Sequence, residues 1–129
     1  MTKAEMIESM AQVKNTDDVF DSRDLLEHIQ NLEAISKRDE TEDEELKQLK
    51  SVVQQFHEIY DEKKNYLKDG IGFIRDSYFL AYQTDFFLEV NQVDEALQHY
   101  IDFEAFADDE MYGYSEVLFD GVTYHFRNF

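Results

Sequence analysis

The chain has 129 residues, with 30 Asp and Glu against 12 Lys and Arg, a formal net charge of −18, and no cysteine or proline. Hydrophobic residues make up 43% and aromatics 15%, enough for a single domain to bury a core. Lack of cysteine excludes disulfides and thiolate metal sites, and the charge argues against direct binding to nucleic acid or an anionic membrane, because phosphate neutralisation needs Lys and Arg.

No apolar run approaches the roughly 20 residues that span a bilayer. Met1–Glu5 carries an early acid and no apolar segment follows, so no secretion signal is expected and the protein is read as cytoplasmic.

Residues 2–14 are predicted to form a short helix or arm, with Met6, Ile7, Met10 and Val13 at helical spacing. Asn15 to Asp18 reads as a break. Val19 or Phe20 then serves as a hydrophobic staple, and Asp21 or Ser22 caps a helix over 23–37. That helix aligns Leu25, Leu26, Ile29, Leu32 and Ile35, and ends in Lys37 and Arg38, which suit a helix C-terminus.

Asp39 to Glu45 holds six acids in seven positions. Thr41 with Glu44 is the predicted capping box of a second helix over 42–64, and the acids favour its positive dipole end. Leu46, Leu49, Val52, Val53, Phe56, Ile59 and Tyr60 form its stripe. The two stripes predict an antiparallel helical hairpin over 21–70.

Composition shifts at Lys68-Asp69-Gly70-Ile71-Gly72. Residues 1–70 carry 18 acids and 10 bases; residues 71–129 carry 12 acids, two bases (Arg75 and Arg127) and 15 of the 19 aromatics. The expected division is an arm over 1–20, the hairpin over 21–70, and an acidic, aromatic-rich α+β unit over 71–129.

In that last unit, Ile74 to Val90 predicts a helix with Phe79, Tyr82, Phe86, Phe87 and Val90 on or near one side. A turn over 94–99 follows, with Val93, Ala96, Leu97 and Tyr100 turned inward. Asp102 should cap a helix over 103–111 that buries Phe103, Phe106 and Ala107. Asp120-Gly121 between alternating runs predicts a two-residue hairpin, pairing Phe119 with Val122, Val117 with Tyr124, Leu118 with Thr123 and Glu116 with His125. Its apolar face should pack on the aromatic helices. The expected fold class is α+β, mostly helical: helical hairpin, short helices, C-terminal β-hairpin.

Motifs for chemistry are missing. The glycines (Gly70, Gly72, Gly113, Gly121) form no phosphate loop. His28, His57, His99 and His125 are scattered, and the 39–45 run lacks the glycine of a calcium loop. No catalytic residue, metal or cofactor is assigned, and the chain is read as a non-enzyme. The binding candidates are carboxylates. Glu104, Asp108, Asp109 and Glu110 lie on one short helix without a base, and Glu104 and Asp108 are i,i+4 like charges that cost a few tenths of a kcal/mol. Asp94, Glu95 and the run Asp39, Glu40, Glu42, Asp43, Glu44 and Glu45 form a second patch. A basic protein surface is the natural complement.

The segment Leu97-Gln98-His99-Tyr100-Ile101-Asp102-Phe103-Glu104-Ala105-Phe106-Ala107-Asp108-Asp109 resembles the C-terminal part of ArdA-type antirestriction proteins. The matching positions are Ile101, Asp102, Phe103, Ala105, Phe106 and Asp109, and the resemblance covers about residues 74–126. Ile74 to Phe79 and Val117 to Tyr124 also resemble small phage and prophage proteins of unassigned role. The resemblance implies a mobile-element protein in a bacterial host, mimicking the charge of DNA and occupying the DNA-binding channel of a defence enzyme, with a homodimer as the family's assembly. This chain departs in carrying a helical hairpin in place of the family's N-terminal segments, and Asp108 where the family often has Arg.

The leading expectation is an inhibitor of a restriction–modification or CRISPR complex. The alternative is a non-enzymatic adaptor that binds its partner through the hairpin's apolar stripe at Leu25, Ile29, Leu49 or Phe56.

Overall fold

The computed structural model describes residues 12–61 and 63–129. The N-terminal helix predicted over 2–14 lies almost wholly outside them; Gln12 to Lys14 are not helical.

Helix α1 spans Ser22–Glu33 and α2 spans Glu40–Ile59. Asp21 caps α1, accepting from the Arg23 backbone N–H at 2.8 Å. Hydrogen bonding from the Arg23 side chain holds the Asp21 carboxyl below its ordinary range. α1 stops at Glu33, short of the predicted Lys37. Arg38 still serves that end, donating from Nη1 to the carbonyls of Leu32 (3.2 Å) and Ile35 (3.3 Å). The capping box of α2 is Asp39 with Glu42, rather than Thr41 with Glu44. Asp39 has the extended backbone of a cap, so its carboxylate reaches the Glu42 N–H at 2.8 Å while Glu42 returns to the Asp39 N–H at 3.1 Å.

The sheet was only half visible in the sequence. Val19–Asp21 is strand β1, not a staple, and Gly72–Arg75 is strand β2, not the start of a helix. β1 pairs with β2 antiparallel, Phe20 opposite Phe73. Tyr66–Asp69, the short helix α3, leads into β2. The fully buried Ser22 ties the two regions together: its hydroxyl donates to the Leu67 carbonyl at 2.6 Å and accepts from the Ile71 N–H at 2.7 Å.

β3 (Tyr114–Phe119) and β4 (Val122–Arg127) form the predicted hairpin in the predicted register. Asp120 at φ 48° and Gly121 at φ 79° supply the two positive angles of the turn. The antiparallel sheet runs β1-β2-β4-β3.

Successive strand residues alternate between faces, and both faces are used. Phe20, Phe73, Val117, Phe119, Tyr124 and Phe126 form one core with Leu25, Ile29 and Leu32 of α1 and Leu46, Leu49, Val52 and Phe56 of α2. The hairpin's apolar face therefore packs on α1 and α2, not on the aromatic helices as expected. The opposite face presents Ile74 and His125 to α4 (Phe79–Asn91) and α5 (Phe103–Met111). There Phe79, Ile74 and Ala107 form a smaller core, and the Phe79 ring meets Tyr114 and His125 edge-on at 5.0 and 5.3 Å. The large core crosses the composition shift at residue 70.

Candidate functional site

The acidic surface starts with Asp102. Its carboxylate accepts from the Ala105 N–H at 3.0 Å and so starts α5 where predicted. With the start set, helical spacing turns Phe103, Phe106 and Ala107 inward, and Phe87 of α4 packs its ring against Phe106 (4.9 Å) and Phe103 (6.0 Å). Glu104, Asp108 and Asp109 are left exposed, and Glu110 half-buried. Among the described residues none of these four carboxylates makes an ion pair. Asp94 and Glu95 are also exposed, at the start of a 3-10 turn over Glu95–Tyr100, and no ion pair reaches them either.

The run from Asp39 to Glu45 is engaged differently. Asp39 and Glu42 form the capping box. Asp43 pairs with Arg38 at 2.8 Å. Glu44 accepts from Gln48 at 2.8 Å. Glu45 Oε1 lies 2.9 Å from Nε2 of the buried His28, close enough for charge pairing though outside hydrogen-bond alignment. His28 Nδ1 accepts from the Val13 N–H at 3.0 Å. Glu40 helps line a cleft with Glu44, Glu45, Val13 and Phe119. α2 packs on one face of the sheet and α5 on the other, so the acids of α5 and the 39–45 run do not form one surface; Asp94 and Glu95, grouped in the sequence with that run, follow α4 instead.

Of the hairpin stripe, Leu25, Ile29, Leu49 and Phe56 are all core residues, while Ile59 at its end is 48% exposed. Further apolar exposure lies on the aromatic helix and the turn after it. Phe86 is 48% exposed and Val90 62%, although both lie on or near the predicted apolar side of the helix. Leu97 and Tyr100, expected to turn inward, are 55% and 78% exposed. Ala96 is exposed and Val93 half-buried. One sequence signal was available: Phe86 and Phe87 are adjacent, about 100° apart on a helix, and a narrow interface cannot cover both.

Two further groups stand out. His125 Nε2 lies 2.7 Å from Asp76 Oδ1, a buried ring against an exposed carboxylate. Tyr124 is fully buried, and its hydroxyl donates to the Asp17 and Lys14 carbonyls. Burial, with the nearby Asp17 charge, pushes the phenol up to about 12. Among the described residues no cluster of three or more His, Asp or Glu side chains is placed to hold a metal ion. No helix among them is long and apolar enough to cross a membrane. Comparison with protein-family models, with curated proteins and with solved structures finds no match.

Proposed function

We propose that this chain is a non-enzymatic, stoichiometric inhibitor of a bacterial host's DNA-targeting defence complex, of the restriction–modification or CRISPR kind. In this reading the α5 face and Asp94–Glu95 compete with DNA for a basic channel. One observation carries it: Glu104, Asp108 and Asp109 of α5 are exposed and Glu110 half-buried, none of them in an ion pair among the described residues, while Asp39, Glu42, Asp43, Glu44 and Glu45 are engaged in capping, charge contact and hydrogen bonding. An acid that serves the fold needs no partner; a row of repelling acids without a base gains from one. Four carboxylates on the nine residues of α5 amount to about one per 3.4 Å of axis, the charge spacing of one B-DNA strand. The resemblance of residues 74–126 to ArdA-type antirestriction proteins supports the same reading.

The test is DNA cleavage by a purified type I restriction enzyme and, in parallel, by a CRISPR effector, titrated with this protein at two salt concentrations. Inhibition should weaken as competitor DNA is added and as salt rises. Asp108→Lys, Asp109→Lys and Glu110→Lys together should abolish it with the circular dichroism spectrum unchanged. Full inhibition by that triple variant would remove α5 from the contact.

A further inference from the structure

The apolar face of α4 outruns the sheet that covers it. Phe79 and Gln83, 3% and 1% exposed, lie against the sheet. Phe86 is seven residues beyond Phe79 and Val90 seven beyond Gln83, so both continue the same face two turns on. There the cover thins: Phe86, beside an open cleft over the sheet, is 48% exposed, and Val90 62%. α5 shields only the adjoining flank, through the Phe87 contacts with Phe103 and Phe106. Leu97 and Tyr100 follow at i,i+3 on the 3-10 turn, where that spacing eclipses side chains, and both are exposed. Single exposed apolar residues need no explanation, but a run of them along consecutive elements does.

Charge decides what can cover this strip. Asp85 and Glu89 lie on α4 itself, Asp94 and Glu95 just beyond it, and all four are exposed. Glu110 lines, with Phe86 and Tyr82, a cleft of about 160 Å³ between the helices and the sheet. Only two bases occur after residue 70. Arg75 is turned to the Asn15 carbonyl and Ser77, which leaves Arg127, in the cleft, as the one base of residues 71–129 not so engaged. A second copy would set these carboxylates against their own equivalents. A chain with Lys or Arg flanking an apolar stripe matches both the strip and its rim.

We propose that the overhanging end of α4, with the 3-10 turn after it, docks a basic amphipathic helix of a protein partner, seating apolar side chains against Phe86 and Val90 within the acidic rim. The proposal rests on the inhibitor reading insofar as both set a basic protein against the acidic half. It adds that the contact is anchored by apolar packing as well as charge.

The probes are two synthetic 18-residue helical peptides with the same lysines, one carrying Leu along one face and the other Ser. Binding to the full chain is measured by calorimetry at physiological salt, with amide shifts to locate it. The Leu peptide should bind at least about tenfold tighter, as buried apolar anchors do. Its shifts should cluster over residues 82–102. Phe86→Ser with Val90→Ser should remove that advantage, and Val90→Ser alone, at the more exposed position, should reduce it. Leu118→Ser, at an exposed apolar site on β3, should leave it intact. Equal binding of the two peptides, or an advantage that survives the double variant, would overturn the proposal. So would self-association of the unaltered chain that the double variant abolishes, because a second copy would then own the strip. The cleavage titration separates the two readings. Leu-peptide binding without inhibition sinks the inhibitor and leaves the docking strip. Inhibition undiminished in the double variant, with equal peptide binding, sinks the strip and leaves the inhibitor.

Discussion

Tyr124 shows how far one residue's chemistry depends on the assembled fold. In the sequence it is one tyrosine in an alternating run. In the structure it sits at the centre of the sheet, packed against Phe20 at 4.8 Å and donating to the chain at Asp17. Burial raises its pKa to about 12, so the folded state holds this proton more tightly than the unfolded state, which releases it near pH 10. The stabilisation is complete below pH 10 and is lost as pH climbs towards about 12. A spectrophotometric titration at alkaline pH should show a tyrosine step at about 12, and Tyr124→Phe should delete that step. A titration that shows only ordinary phenols would contradict the burial of this side chain.

At the scale of elements, the acids of α2 and α5 look alike in composition and differ in duty. Asp39 closes a capping box, so Asp39→Ala should destabilise the protein by about 1 kcal/mol in denaturant unfolding. Asp108 makes no ion pair among the described residues and stands i,i+4 from Glu104, so Asp108→Asn should leave stability unchanged or raise it by a few tenths of a kcal/mol. Equal losses at both sites would mean that α5's acids serve the fold, and would weaken the functional reading. The edge of β3 is also managed locally: the Gln55 amide bonds both the N–H and the C=O of Leu118, at 2.7 and 2.8 Å, and occupies backbone groups that could recruit another strand.

Across the whole molecule, electrostatics is governed by self-repulsion from a net charge of −18 with histidines neutral, against which three Lys or Arg ion pairs stand among the described residues, beside two histidine–carboxylate contacts. Two of the pairs, on Arg23 and Lys50, are largely exposed and contribute little. Salt at about 0.1 M shortens the screening length to about 10 Å and relieves repulsion between distant acids. Thermal melts should therefore rise by several degrees between about 20 mM and 300 mM sodium chloride, while any partner complex weakens over the same range. A melting temperature that falls with salt would show that attractive pairs outweigh the repulsion.

Local signals were legible without the fold. Asp120-Gly121 determined the hairpin and its register because positive φ at two successive positions has few other solutions. Asp102 determined the start of α5, and with it which carboxylates face outward, because a cap sets the phase of the helix behind it. The stripes on either side of residues 34–39 determined the helical hairpin. What the sequence left open was long-range. Val19–Asp21 is too short to declare itself as a strand, and it becomes one by pairing with Gly72–Arg75, some fifty residues on. Ile74 joined the strand rather than the helix for the same reason. Only the tertiary structure decided that the β-hairpin's apolar face meets α1 and α2, that the acids of α5 and those at the start of α2 belong to helices on opposite faces of the sheet, and that Phe86, Val90, Leu97 and Tyr100 remain outside. Helical periodicity reports which residues share a face; whether that face is covered depends on where the sheet beneath it ends.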